Sequence, residues 1–263
     1  MYFVGIALIL LGALLIKQIT GMKYRKSFFI MELPEYKIPS LATACRSMLE
    51  RGKAYIIKAG TIILVCNMVV QIMATFTPSF AVAAEDGSDS ILAMIASPVA
   101  VLLVPVVGFA SWQLAAAAIT GFIAKENVVG TLATVFCITN FIDTDELALV
   151  SGGSEVAAIM GLTKVAALAY LMFNLFTPPC FAALGAMNSE MKSGKWLAGA
   201  IGFQLATGFC VGFVVYQVGT LITTGSLGAG FAGGLIAVFV IAAFITYLCV
   251  RAKQKLKIEY ALD

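Results

Sequence analysis

Histidine is absent from this 263-residue chain, and charged residues make up only 12% of it. Without imidazole, a metal site would need carboxylate, thiolate, thioether, amide or backbone oxygen ligands. Soluble domains carry about 25% charged residues, whereas this chain is 61% hydrophobic and has a mean hydropathy of +0.99. Several apolar runs reach the roughly 20 residues that cross a bilayer. The composition therefore indicates an integral membrane protein.

Motifs for soluble chemistry are also missing. No glycine-rich loop is followed by Lys-Ser or Lys-Thr, which excludes a P-loop nucleotide site. The cysteines show no CxxC or paired spacing, which argues against a disulfide framework and against a structural zinc or iron–sulfur site. They are Cys45, Cys66, Cys137, Cys180, Cys210 and Cys249. Because no nucleophile–base pair is recognisable either, we expect no enzyme activity and no catalytic residues. We also expect no nucleic-acid partner.

The apolar runs predict an all-α fold, a polytopic transmembrane helix bundle. Residues 2–17 predict the first helix, and residues 28–39, with two prolines and mixed charge, predict an extended surface segment. Ser40 is the expected N-cap of a basic helix that continues into a span over 55–76. Two further spans are expected over 196–221 and 228–250.

Charge placement orients these helices. Basic clusters follow the first helix, the apolar region 156–190 and the last span. The acidic residues lie in loops around 85–89 and 143–155. By the positive-inside rule the basic side is cytoplasmic, so we expect a cytoplasmic C-terminus.

The chain is expected to comprise three segments. Residues 1–54 form a first transmembrane helix with a cytoplasmic linker and amphipathic helix, and residues 55–221 form a gate-type transmembrane domain. Residues 222–263 form a C-terminal transmembrane helix with a basic cytoplasmic tail.

Two apolar regions carry features that a simple span does not need. Residues 91–108 contain Pro98 and Pro105, which predict a bent span or a re-entrant pair of short helices. Residues 112–137 form one full-length apolar stretch with Lys125-Glu126-Asn127 near its middle.

A proline-broken helix is predicted over residues 156–190. Its apolar run stops at Thr177-Pro178-Pro179, and a new helix is expected to begin at Cys180. A double proline ends a helix, and broken helices are tolerated in membranes only where the freed backbone is buried in protein or lines a wet cavity. Such a break beside a soft ligand often places an ion site near the bilayer midplane. The alternative is a proline kink beside a small buried cysteine.

Lys125 and Glu126 are the costliest residues to place in the membrane. A charge at the bilayer centre costs about 2.5–3.5 kcal/mol on insertion scales and by default marks a functional site. Since helical neighbours point about 100° apart, we expect one to face a pore and the other to pair with a neighbouring helix. Glu126 is the better ligand candidate, and the alternative is a structural ion pair between helices.

Further polar or sulfur-bearing side chains lie in the spans: Asn67, Gln71, Asn174, Met187, Gln204 and Gln217. Amides in spans often only hold helices together, and this is the simpler interpretation for each alone. Together with Cys180 and Glu126 they form a mixed sulfur and oxygen set that suits ferrous iron. Gly228, Gly230 and Gly234 indicate close helix packing, with a hinge as the alternative.

Five segments resemble the C-terminal membrane half of the ferrous-iron transport protein B (FeoB) family. They are MELPEYKIPSL (31–41), YIIKAGTIIL (55–64), WQLAAAAITGFIAKENVVGTL (112–132), LFTPPCFAALGAM (175–187) and GKWLAGAIGFQLATGFCVGFVVYQ (194–217). The resemblance implies a multi-pass transporter for Fe²⁺ in the bacterial inner membrane, coupled to a cytoplasmic G domain. Pro179-Cys180 corresponds to one of the family's paired gate motifs, and Ala124-Lys125-Glu126 to its charged motif.

The resemblance also assigns roles. It implies Cys180 as a thiolate ligand at the gate and Glu126 as an oxygen ligand or the partner of Lys125. Asn174, Asn67 and Met187 are weaker metal-ligand candidates, and Pro178, Pro179 and Lys125 are expected to shape the gate. Fe²⁺ is the expected transported ion; we expect no cofactor on this chain, and GTP only on a partner chain.

The chain also departs from the family pattern. It has no GTPase domain and no first gate repeat, and Asn127 replaces a glycine- or valine-rich position. We therefore expect half a transporter, either a split subunit or a fragment. Its expected partners are membrane lipid and an N-terminal FeoB half or GTPase subunit, with a homo-oligomer as an alternative. The rival interpretation is a non-transporting scaffold or degenerate remnant whose polar residues only hold helices together.

Overall fold

The computed structural model describes residues 2–20, 40–83, 87–123, 125, 127–135 and 160–262. Within these residues the fold is helical, and the only β-type pairing is an isolated bridge between Phe76 and Val82. The described helices are α1 (Tyr2–Thr20), α2 (Leu41–Thr75), α3 (Ile91–Val107), α4 (Trp112–Gly121), α5 (Asn127–Val135), α6 (Lys164–Phe176), α7 (Phe181–Met191), α8 (Gly194–Thr224) and α9 (Phe231–Leu262). The all-α prediction is confirmed.

The chain divides into two compact units. The first comprises Met1–Glu50 with Leu235–Asp263, so it contains α1, the start of α2 and most of α9. The second comprises Arg51–Gly234 and holds the remaining helices. All the candidate metal-ligand residues belong to the second unit.

The core of the second unit forms where α3, α4, α6 and α8 pack together. Helix α4 is enclosed on every side, with Ala115, Ala116 and Ala117 fully buried. Its alanine-rich sequence explains this, because small side chains let neighbouring backbones approach closely. Helix α8 packs along α6 at Gly208 and Gly212.

Apolar side chains are exposed along α1, α2 and α9, as expected of surfaces that face lipid. Three described helices are long and apolar enough to cross a membrane, over Tyr2–Ile19, Gly194–Thr224 and Phe231–Ala252. Helices α3 and α4 together would add a fourth if counted as one bent span. By length and composition, then, the described part of the chain is that of a membrane protein.

Several helix ends follow the expected local chemistry. Ser40 Oγ accepts a hydrogen bond from Thr43 N at 3.4 Å, which confirms it as the N-cap of α2. Ser90 and Thr163 cap α3 and α6 in the same way, through Ala93 N and Ala166 N at 3.1 Å. Serine and threonine satisfy amide groups that have no partner inside the helix.

The bend in the 91–121 region does not lie at the prolines. Pro98 and Pro105 are inside a continuous α3, and the chain turns by 97° between α3 and α4. The turn is made by Gly108, whose φ of 96° lies in the left-handed region that glycine tolerates. Ser111 then caps α4, accepting from Leu114 N at 3.3 Å. A re-entrant pair or a bent span is thus present, but it is formed by residues 91–121.

The apolar stretch over 112–137 does not form one continuous helix within the described residues. Helix α4 ends at Gly121, residues 122, 123 and 125 are not helical, and α5 begins at Asn127. The helical spacing used to separate Lys125 from Glu126 therefore does not apply at Lys125. The predicted segment 28–39 and the acidic loop 143–155 lie outside the described residues.

The close-packing prediction for the glycines before and within α9 is confirmed. A β-carbon at Gly228 would meet the Tyr216 ring at 2.5 Å, and one at Gly230 would lie 3.0 Å from Pro105 N. A β-carbon at Gly234 would overlap the ring of Phe213. Any side chain at these positions would push the segment 228–234 away from α3 and α8.

Candidate functional site

The first helix break lies between α4 and α5. The two helices are joined across it by a 2.8 Å hydrogen bond between the hydroxyls of Thr120 and Thr131. Gly121 allows the close approach, because a β-carbon there would lie 2.7 Å from Val128 Cγ2. This packing holds Lys125 in a short non-helical segment.

The second break lies between α6 and α7, where the double proline predicted it. Thr177 N still donates to Phe173 O at 3.1 Å, which closes the last turn of α6. In a continued helix the next two donors would be residues 178 and 179, but proline has no backbone N–H. The carbonyls of Asn174 and Leu175 therefore lose their helical partners. Cys180 is the N-cap of α7, half-buried and without a capping bond from its side chain.

Lys125 connects the two breaks. Its ammonium donates hydrogen bonds to Asn174 O at 2.6 Å, Leu175 O at 3.0 Å and Thr177 O at 3.1 Å. These three bonds use all the donors of an ammonium group, and they include both carbonyls that the prolines leave without a helical donor. Cys180 comes three residues after Thr177, whose carbonyl accepts from this ammonium. The second break therefore brings two of the predicted site residues, Lys125 and Cys180, to the same region.

Asn174 lies at the same place but turns its amide nitrogen back to its own helix. Its Nδ2 donates to Tyr170 O at 2.9 Å, while its main-chain carbonyl accepts from Lys125 and, at 2.9 Å, from Thr177 Oγ1. Its Oδ1 faces the first break, 3.8 Å from where a β-carbon at Gly121 would lie. The amide oxygen is thus oriented toward the other broken helix.

Two weaker ligand candidates are not brought to the break. Asn67 is exposed on α2, a helix that makes no extensive contact with α6 or α7. Met187 is seven positions beyond Cys180 on α7, and at about 1.5 Å per residue this is about 10 Å along the helix. Glu126 and the side chain of Asn127 lie outside what the structure describes. Among the described residues, no group of three or more Asp, Glu, Cys or His side chains is placed to hold a metal ion.

Two features were not foreseen from the sequence. One is the placement of Lys125 on backbone carbonyls, which the two prolines could have indicated because they leave acceptors that need a donor. The other is the environment of Gln204, which the sequence marks only as a polar residue in a span: its Oε1 is buried without a hydrogen-bond partner among the described residues. It lies one turn before Gly208, where α8 packs against Thr177. By contrast, Gln217 joins helices as the simpler interpretation predicts: it donates to Pro105 O at 3.4 Å and accepts from Gly228 N at 2.9 Å.

Comparison with known families gives two matches. The family described as "Nucleoside recognition" (Gate) matches residues 38–194, and that described as "Ferrous iron transport protein B C terminus" matches residues 1–51. The chain belongs to the Gate family. The second match confirms the resemblance to ferrous-iron transport protein B that the sequence showed.

Relatives of this Gate-family chain include proteins named "Fe(2+) transporter FeoB". The Staphylococcus aureus (strain COL) protein is 31% identical over 223 residues, covering 84% of this chain and 31% of the relative. The Methanocaldococcus jannaschii protein is 29% identical over 230 residues, covering 84% and 32%. The Salmonella typhi protein is 26% identical over 303 residues, covering 98% and 38%. The chain thus spans about a third of the length of these relatives, and no solved structure matches it.

Proposed function

We propose that this chain is the membrane permease portion of a ferrous-iron uptake transporter, moving Fe²⁺ across the bacterial inner membrane. The observation that carries the proposal is the junction of two helix breaks through Lys125. Broken helices side by side expose backbone oxygens and helix ends inside a membrane, where transporters commonly bind ions. The names of the relatives supply the identity of the ion.

Cys180 is the proposed thiolate ligand at the gate. It lies at the start of α7, directly after Pro178 and Pro179, is half-buried, and comes three residues after Thr177, whose carbonyl accepts from the Lys125 ammonium. Sulfur ligands suit ferrous iron better than they suit Mg²⁺ or Ca²⁺. The two prolines come directly before Cys180, and the next helix begins with Cys180 as its N-cap, so this residue lies at the break itself.

Glu126 is the proposed oxygen ligand, since it directly follows Lys125 in the sequence. Asn174 is a supporting candidate, because its Oδ1 faces that break. Gln204 offers a further oxygen, one turn from the packing of Gly208 on Thr177. Asn67 and Met187 remain weaker candidates, since the described fold does not bring either to Cys180.

A separate N-terminal FeoB half that contains the GTPase domain is the proposed partner, with GTP bound only there. The relatives are about three times as long as the matched segment, which supports a requirement for further protein. The proposed topology is multi-pass with the basic C-terminal tail in the cytoplasm, by the positive-inside rule. Membrane lipid covers the apolar surfaces of α1, α2 and α9 in this proposal, and a homo-oligomer is the alternative assembly. No catalytic step is assigned to this chain.

A non-transporting scaffold is the second candidate function, and a specific set of observations favours it. Gln217, Thr120 with Thr131, and the Tyr170 hydroxyl, which donates to Leu114 O at 2.7 Å, all join one helix to another. Polar groups used in this way stabilise a bundle without forming a pathway.

Uptake of radioactive Fe²⁺ distinguishes the two functions. Cells that lack ferrous-iron uptake would express this chain alone, a GTPase-containing FeoB N-terminal half alone, or both together. The permease proposal predicts uptake with both together that Cys180→Ser abolishes. Uptake that is equal with and without this chain would favour the scaffold and contradict the proposal.

A further inference from the structure

The end of α6 presents three main-chain carbonyl oxygens toward a single point. Asn174 O, Leu175 O and Thr177 O all lie within 3.1 Å of the Lys125 ammonium nitrogen. We propose that these carbonyls form a cation-binding cradle with Lys125 as its tethered occupant, and that the cradle binds a free primary alkylammonium ion when the lysine side chain is removed.

The cradle follows from the sequence of the break. The last carbonyls of any helix lack partners inside that helix. Here Pro178 and Pro179 remove the two amide donors that a continued helix would have offered to Asn174 and Leu175. Both carbonyls must find other donors, since an unpaired polar backbone group in a membrane interior is costly.

The charge at this point also favours a cation. The C-terminal end of a helix carries a partial negative charge equivalent to about half an elementary charge. The ammonium lies directly against the carbonyls at that end, and its hydrogen bonds are charge-assisted. The Lys125 side chain is half-buried, so water does not fully replace these contacts.

The ligand class follows from the donor geometry. Three carbonyl acceptors at 2.6, 3.0 and 3.1 Å match the three N–H groups of a primary ammonium. A guanidinium is planar and forked, so it satisfies fewer of them. A quaternary ammonium has no N–H and satisfies none. Methylammonium and ethylammonium are therefore the free ligands expected, and tetramethylammonium is not.

The test uses the purified full chain in detergent and needs no transport, so its outcome is independent of the permease proposal. Two properties are measured for Lys125→Ala: the thermal unfolding midpoint, and the hydrogen–deuterium exchange rate of peptides that cover the break at Thr177. Loss of the ammonium should lower the midpoint and speed exchange at the break at least about tenfold. A tenfold change corresponds to about 1.4 kcal/mol, no more than one hydrogen bond to a charged group. Lys164→Ala, an exposed lysine at the other end of α6, is the matched control and should change neither property.

Rescue is the decisive step. Ethylammonium should restore both properties of Lys125→Ala and leave the wild type unchanged, while the same concentration of tetramethylammonium should restore neither. Equal effects of the two ions would reduce the rescue to a general salt effect and overturn the proposal. So would a Lys125→Ala protein that behaves like the wild type.

A companion variant covers the case in which Lys125→Ala folds poorly. Lys125→Met keeps most of the side-chain volume without charge, so it should lose stability and resist rescue because the methionine fills the space. Rescue of Lys125→Met to the same extent as Lys125→Ala would contradict a cradle of defined size. If folded Lys125→Ala protein can be purified only with an added cation, the yields of folded protein in the two salts are compared instead. Ethylammonium should then give a higher yield than tetramethylammonium.

Discussion

Lys125 and Asn174 are 49 residues apart in the sequence, and a 2.6 Å hydrogen bond joins the ammonium of the first to the main-chain carbonyl of the second. The bond spans two helix breaks, one after α4 and one after α6. A buried charge in a membrane is unfavourable, and so is a backbone carbonyl without a hydrogen-bond donor. Hydrogen bonding between the ammonium and the carbonyls reduces both unfavourable terms, and it holds the two breaks side by side.

This relationship predicts coupling between Lys125 and the prolines. Replacing both Pro178 and Pro179 by alanine restores the amide donors for Asn174 O and Leu175 O. In that background Lys125→Ala should destabilise the protein by at least about 1 kcal/mol less than in the wild type, the scale of a hydrogen bond. A double-mutant cycle of unfolding free energies in mixed micelles measures the difference. Strict additivity would contradict the role assigned to the two prolines.

Gly208 is predicted to be required for the packing of α8 on the second break. A β-carbon there would lie 2.9 Å from Thr177 Cγ2 and 3.0 Å from Phe173 O. Gly208→Ala should therefore destabilise the protein by about 1–3 kcal/mol, as overpacking does. Gly202→Ala is the control on the same helix, because a β-carbon there meets nothing within 4 Å. Gly202→Ala should leave the unfolding free energy unchanged or raise it by up to about 1 kcal/mol. An equal decrease in unfolding free energy for both variants would contradict the packing at Gly208.

Gln217 is predicted to stabilise the end of α3 and the loop before α9. Its buried amide donates to Pro105 O and accepts from Gly228 N. If the amide is removed, each of these two backbone groups loses its hydrogen bond to residue 217. Gln217→Met should lower the unfolding free energy by about 1–3 kcal/mol. Gln254→Met, at an exposed position of α9, serves as the control. An unfolding free energy as high as that of the control variant would show that the two bonds contribute little.

Cys180 is predicted to be required for uptake and dispensable for folding. Cys180→Ser replaces a soft ligand with a hard one of similar size, so Fe²⁺ uptake with the GTPase-containing half should fall at least about tenfold, or about 1.4 kcal/mol. Cys45→Ser, at an exposed position on α2, should retain uptake. Both variants should keep the wild-type unfolding midpoint. Full uptake by Cys180→Ser would remove Cys180 from the pathway.

The sequence predicted features whose cause is local. The double proline placed the second break correctly, Ser40 marked the start of α2, and the glycines at 228, 230 and 234 indicated close packing. Each depends on backbone chemistry that a few neighbouring residues determine.

Features with a distant cause were not predictable in the same way. The first break contains no proline, and it forms where Gly121 packs on Val128 and Lys125 reaches α6. Conversely, Pro98 and Pro105 predicted a bend inside α3, yet that helix is continuous because a membrane helix tolerates a lost hydrogen bond when neighbours surround it. Asn67 and Met187 entered the ligand set by residue type alone, and residue type does not determine distance.

The most direct test of the proposed iron site is anaerobic Fe²⁺ binding to the purified chain, comparing the wild type with Cys180→Ala and Glu126→Gln. We predict stoichiometric binding by the wild type, alone or once the GTPase-containing half is added, and its loss in both variants. Stoichiometric binding that survives both substitutions would contradict the account. No binding by the wild type even with that half present would contradict it equally, and would leave the scaffold function in its place.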